Sequence, residues 1–315
     1  MKRLIVLAMI MAVMVLVAAL VHAQTPANDL KPTFISPTPG LYVNGWPAFT
    51  VAYPKEWEEV PLTGPGGVFM AAAARPDSHP SPVLTIAVFP APLPLEEWAK
   101  IMMPVWVDIF TDIKVLSDKP SQLKDGTPAW EVEVEFVAKT DITGSSVKNP
   151  PKCGGLLLAT KKDMTWVSIW LSDDKGRIGE DLRRVAYSLT FLPGREEPVQ
   201  VPPDVRAFLD MYGNDIGSHD VKTIMAHCSD RFLFSGMSRA FLEQYLRNDP
   251  TSPIQMGAIS WGPTVTVFES RGDKAYVDGF WLQKAKGDAN GWKIPMTFQQ
   301  IINEHGQWRW YGNQK

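Results

Sequence analysis

The sequence predicts an α+β protein of two domains, at 41–193 and 204–315. Three observations lead there. The 315 residues exceed the usual size of one domain, and 45% are hydrophobic, an ordinary globular composition. Prolines divide the chain: of 27, 21 precede Val201 and six follow it, and four fall between 193 and 203. Proline neither continues a helix nor donates to a strand ladder, so 194–203 reads as a linker. The apolar period is mostly two before that linker; after it, helical periods come first and strands follow.

The chain opens with Lys2 and Arg3, an apolar run from Leu4 to Leu20, and Val21-His22-Ala23. Charged start, apolar middle and small-residue exit predict a signal peptide over 1–23, cleaved before Gln24, and hence a periplasmic or secreted protein. The alternative is an uncleaved run serving as a membrane anchor. No cysteine follows it, which excludes a lipoprotein anchor. Residues 24–40 read as an extended leader. The net charge of −3 excludes an ordinary nucleic-acid binder. Two cysteines allow neither a disulfide-dense scaffold nor a multi-cysteine zinc site. In an oxidising compartment Cys153 and Cys228 either form a disulfide tying the domains together or stay as two buried thiols.

In the first domain Phe49–Tyr53 alternates and stops at Pro54. Val83–Phe89 is an apolar strand closed by prolines. From Ala129 to Val137, Trp130, Val132, Val134 and Phe136 share one face, and Glu131, Glu133 and Glu135 the other, which predicts a half-buried antiparallel strand. Leu156–Thr160 and Met164–Leu171, joined by Lys161-Lys162-Asp163, predict a hairpin. Helices fit about Leu95–Phe110, kinked or ended by Pro104, and about Ile178–Ser188, with Leu182, Val185 and Ala186 inward. Leu189–Phe191 is a last short strand.

In the second domain Val205, Phe208, Leu209 and Tyr212 carry a helical period, with Asp204 as the expected N-cap. Shorter helices fit Val221–His227, capped by Asp220, and Arg239–Arg247, capped by Ser238. Strands follow at about Ile254–Trp261, Thr264–Glu269, Lys274–Gln283, Trp292–Asn303 and Gln307–Tyr311. Arg271-Gly272-Asp273 and Glu304-His305-Gly306 supply hairpin turns.

Two resemblances emerge. Phe49-Thr50-Val51-Ala52-Tyr53-Pro54 with Trp57, and the closing Ser188-Leu189-Thr190-Phe191-Leu192-Pro193, resemble the two ends of PsbP-like domains. That resemblance implies an α/β/α sandwich on an antiparallel sheet, and a non-catalytic accessory module. Residues 206–234 ending in Ser229-Asp230-Arg231-Phe232, Gly272–Val277, and Asn303–Trp310 resemble the nuclear transport factor 2-like, or SnoaL-like, family. This second resemblance implies three helices on a curved antiparallel sheet that encloses an apolar cone. It hosts enzymes and non-enzymes alike.

In ketosteroid isomerase-like members a catalytic Asp lies on the first strand after the second helix. The matching position here falls near Ser235 or on Phe234, and neither is a base. If the cone is an enzyme, His219, Asp220 and Asp230 are the acid/base candidates, with Asp215 and His227 nearby in sequence. Their bland roles are helix caps and turn residues. No metal motif or phosphate loop occurs, and Gly64-Pro65-Gly66-Gly67 lacks the following Lys-Ser/Thr, so no metal or cofactor is expected. Tyr212, Phe232, Phe234, Trp281, Met296 and Phe298 are the expected lining of an apolar pocket. Trp308 and Trp310 share one strand face, Arg309 and Tyr311 the other, which suits a homodimer surface. The expectation is an exported, non-enzymatic binding or accessory protein, taking a small apolar ligand or an envelope protein partner. The alternatives are isomerase-, hydrolase- or dehydratase-like chemistry in the cone, and a membrane-tethered scaffold.

Overall fold

In the computed structural model the chain is mixed α/β and rich in sheet. The described residues are 40–59, 69–74, 83–90, 94–97, 110–138, 149, 151–162, 165–192, 196–234, 237–249, 252–255, 257–284, 286–287, 291–296 and 298–314. The expected signal peptide, all of the leader but Gly40, Gly64–Gly67 and Ser235 lie outside them. Among the described residues no helix is long and apolar enough to cross a membrane.

β1 (Leu41–Asn44) and β2 (Phe49–Ala52) form a hairpin whose bend contains a cis Trp46–Pro47 bond. β10 (Thr190–Phe191) adds to the other edge of β2. Between them in sequence lie β3 (Glu58–Glu59), β4 (Phe69–Ala74), β5 (Val83–Pro90), β6 (Phe110–Gln122), β7 (Pro128–Ala138), β8 (Lys152–Lys162) and β9 (Thr165–Asp173). These make an antiparallel sheet in the order β3-β4-β5-β9-β8-β7-β6. The expected hairpin is β8–β9, in register from Gly154↔Asp173 to Lys162↔Thr165.

The helix expected over Leu95–Phe110 needs correction at its end. Glu96 and Glu97 are helical, 98–109 lie outside the described residues, and Phe110 opens a 13-residue strand. Two register shifts against β7, at Thr111/Lys114 and Val115/Ser117, break the alternation of β6 and hide it from a period-two reading.

The half-burial expected of β7 holds at Glu133 and Glu135, which stay partly exposed, but not at Glu131. Val132, Val134 and Phe136 pack with Cys153, Leu157 and Trp166 on one face. The glutamate face is partly covered by α1 (Glu180–Ala186), which sets Val185 and Ala186 into a core with Leu156, Leu158, Ile169, Phe49 and Val51. Glu131 is only 2% exposed and is held by Arg183 Nη1 at 2.7 Å and Tyr187 Oη at 2.5 Å. The same guanidinium bonds Glu133 at 2.7 Å. Paired charges can line a buried face when every partner is present.

After the prolines come α2 (Pro203–Ser218), α3 (Val221–Ala226), the small hairpin β11 (Leu233–Phe234) and β12 (Met237–Ser238), and α4 (Arg239–Asn248). Asp220 caps α3 and Ser238 caps α4, as their short polar side chains predict. Asp204 does not cap α2: Pro202 holds that position, and Asp204 in the first turn accepts Trp308 Nε1 at 2.7 Å.

The second sheet comprises β13 (Ile259–Arg271), β14 (Lys274–Lys284), β15 (Trp292–Pro295), β16 (Gln300–Glu304) and β17 (Gln307–Trp310). Its order is β13-β14-β16-β17, with β15 also on β14. The two strands expected over Ile254–Glu269 are one, interrupted by shifts at Trp261/Thr264 and Val265/Val267. The single strand expected over Trp292–Asn303 is two, broken where Gln299 takes φ 58°. These shifts curl the sheet. Gly279 permits the tightest point: at φ 153°, an added Cβ would sit 2.0 Å from Thr264 O.

A single core runs from Val205 on α2 to Trp310 on β17, apart from the two cores of the seven-stranded sheet. Cys153 and Cys228 lie in different cores and form no disulfide with each other, so that alternative gives way to two buried thiols.

Candidate functional site

The curled sheet and its helices gather the aromatic residues of the C-terminal half. Tyr212 comes from α2, Phe234 from β11, Trp281 from β14 and Trp310 from β17. Phe232 precedes β11, and Met296 and Phe298 sit at the break between β15 and β16. Phe298 is the hub. Its ring centre lies 5.0 Å from Phe232, 5.7 Å from Phe234 and 5.7 Å from Trp310, all edge-on. Tyr212 continues the cluster to Trp281 at 5.7 Å and Trp310 at 5.4 Å. Edge-to-face packing suits the ring quadrupoles. Met296 is fully buried in the same core. All six residues expected to line a pocket therefore belong to one packed cluster, and Trp310, named only for its strand face, lies at its centre.

At the rim of this cluster His227 Nε2 meets Asp215 Oδ2 at 2.6 Å. The imidazole is 14% exposed and stands edge-on to Phe208 and Tyr212. A carboxylate on Nε2 fixes the tautomer, leaving Nδ1 as the basic nitrogen. Helical geometry assembles the pair: Asp215 lies in the last turn of α2, and His227 ends α3.

The three named acid/base candidates are not brought together. His219, at φ 57° beyond α2, donates through Nε2 to Ala258 O at 3.0 Å. Asp220 accepts from Lys222 N, Thr223 N and Thr223 Oγ1; that Thr223 hydroxyl first, then the Lys222 amide, holds its carboxyl below the ordinary range. Asp230 is 91% exposed and faces Arg239 at 3.6 Å. No group of three or more His, Cys, Asp or Glu residues suited to a metal occurs among the described residues.

Burial pushes the Cys228 thiol up to about 12, against the pull of Arg239 and Arg309. At neutral pH it is a packing residue rather than a nucleophile. Burial, with Cys228 adding, also raises the Tyr212 phenol well out of reach of neutral pH. The face of β17 opposite the cluster is partly covered: the Arg231 and Lys274 cations lie over the Tyr311 ring at 5.5 and 4.9 Å.

One buried acid escaped the sequence reading. Asp278 sits within Ala275-Tyr276-Val277-Asp278-Gly279-Phe280-Trp281 on β14 and is fully buried. Its signal was present: one carboxylate beside one glycine in an apolar strand.

No protein-family model matches the chain, and no curated protein matches it. The solved structures similar to parts of it include the following three. Cyanobacterial PsbP from Synechocystis sp. PCC 6803 matches over 52% of this chain and 99% of its own, at 14% identity and a TM-score of 0.38. A protein from Bacteroides thetaiotaomicron VPI-5482 matches over 89% of each chain, at 11% identity and a TM-score of 0.33. A protein of unknown function from Pseudomonas aeruginosa matches over 43% of this chain and 81% of its own, at 10% identity and a TM-score of 0.24.

Proposed function

We propose that this chain is an exported, non-enzymatic binding or accessory protein of two domains. Residues 41–193 form a PsbP-like interaction module. Residues 204–315 form a nuclear transport factor 2-like cone that takes a small apolar ligand, or the apolar side chains of an envelope partner, at the aromatic cluster. The supporting observation is the convergence of Tyr212, Phe232, Phe234, Trp281, Met296 and Phe298 around one hub. The named acid/base residues are meanwhile committed to a cap, a loop carbonyl and an exposed ion pair. Apolar rings supply affinity for apolar surface without chemistry.

Native mass spectrometry of the exported full chain, purified without denaturant, tests this. The expected result is cleavage after Ala23 and a retained mass that disappears in Phe298→Asp but persists in Asp220→Ala. The fluorophore N-phenyl-1-naphthylamine should bind the emptied protein and compete with that mass. An apo chain that also ignores the fluorophore would sink the pocket.

The Asp215–His227 contact favours a second reading, acid/base chemistry at the cluster rim. Turnover of a bound molecule that is lost in His227→Gln would select it.

A further inference from the structure

The bend between β1 and β2 is one contact through which the N-terminal strands meet the curled sheet, beside that of β5 with β15. Gly45 N donates to Asp278 Oδ2 at 3.2 Å, and Thr266 Oγ1 of β13 donates to Gly45 O at 3.3 Å. Trp46 packs on Phe280 with ring centres 4.9 Å apart. Asn44 braces the bend through Nδ2 to Pro47 O, at 2.9 Å. A Cβ at Gly45 would lie 2.3 Å from Asp278 Oδ2, so the backbone of the bend is itself the lid on this carboxylate.

Asp278 is fully buried. Its own strand supplies Tyr276 Oη at 3.1 Å and Gly279 N at 2.7 Å. Tyr42 faces it from β1, its hydroxyl bound to Asn44 Oδ1 at 2.9 Å. From β13 comes the neutral Thr266. On β15 the Lys293 ammonium lies over the Phe280 and Trp46 rings, at 4.6 and 6.0 Å. Beyond the bend, Glu196 accepts Ala48 N and pairs with Lys162 at 2.6 Å. The Tyr276 hydroxyl and two amides thus bond the carboxylate, Tyr42 lies near it, and among the described residues no cation pairs with it. Burial pushes its carboxyl up to about 7, over the opposing bonds from Gly279, Tyr276 and Gly45.

We propose that Asp278 is a proton-operated pin between the β1–β2 bend and the curled sheet: its neutral carboxyl keeps the bend seated on β14, and its ionisation unseats the bend. A buried charge without a counter-ion gains most by reaching water, and the atoms in its way are those of Gly45. Lifting the bend also frees Trp46 from Phe280 and Thr266 from Gly45.

The direction follows from proton counting. Between the ordinary aspartate range and about pH 7, the seated state holds one proton that the unseated state has lost. The bend is therefore firmest in acid. Its opening equilibrium grows about tenfold per pH unit up to about pH 7 and then levels off.

Hydrogen exchange of the full chain between about pH 5 and about pH 8.5, corrected for intrinsic rates, tests this linkage. Amides of 41–48 and 274–282 should lose about a hundredfold protection from about pH 5 to about pH 7 and then plateau. Amides of β8 and β9 should stay protected throughout. Asp278→Asn, which cannot ionise, should show a flat profile. Gly45→Ala should leave the bend open at every pH while β8 and β9 hold. A flat wild-type profile, a fall shared equally by β8 and β9, or a wild-type slope surviving in either variant would overturn the pin. Should a variant fail to fold, the wild-type profile decides alone.

Discussion

Single positions already set large stakes. Gly279→Ala places a methyl 2.0 Å from Thr264 O, and no side chain can yield because the obstacle is backbone. A loss of about 2–4 kcal/mol is expected in urea unfolding. Glu131 offers a second test. Burial raises its carboxyl, but the Tyr187 hydroxyl, the Arg183 guanidinium and Lys119 outweigh burial and leave it below the ordinary range. Arg183→Met strands that carboxylate on a covered sheet face, at a cost of about 3 kcal/mol near neutral pH. A carboxyl held low stabilises the fold above the ordinary glutamate range, and that stability drains away as pH falls. The variant should thus lose the acid limb of the wild-type stability curve, not merely shift it.

Elements differ in how plainly their residues announce them. β7 is legible because Val132, Val134 and Phe136 alternate with three glutamates; the burial of Glu131 is not, because it depends on Arg183 arriving from 52 positions away. α3 and α4 are legible down to their caps, since Asp220 and Ser238 meet amides within three residues. Ser238→Ala should cost about 1 kcal/mol in thermal unfolding and leave the aromatic cluster intact. β6 was missed because its bulges destroy the period, and β13 was cut in two where Gly262-Pro263 reads as a turn. For the candidate site, Tyr212 could be assigned to a helix face and Trp281 and Phe298 to expected strands. The contact between Asp215 and His227 could not, because the 12-position step from one to the other includes a reversal whose angle lies in the packing of α2 on α3. Asp278 was passed over for the same reason: its partner Gly45 is 233 positions away.

At the scale of the whole molecule, Glu131 and Asp278 pull stability in opposite directions along the pH axis. The first weakens the fold as acid is added; the second weakens the seating of the bend on the curled sheet as acid is removed. Thermal unfolding followed across pH should peak within the ordinary carboxylate range and decline from there to about pH 7, and Asp278→Asn should flatten only that decline. The molecule also carries a long open rim. β6 ends the seven-stranded sheet with 13 residues, and Val115 and Leu116 on it are 44% and 36% exposed. A straight strand of that length would template fibrils. Here two bulges twist it, Pro120 removes an amide from its ladder, and Lys114 and Lys119 stud it with charge. Among the described residues, the irregularity that hid β6 from pattern reading is thus also what makes it a poor template for another strand.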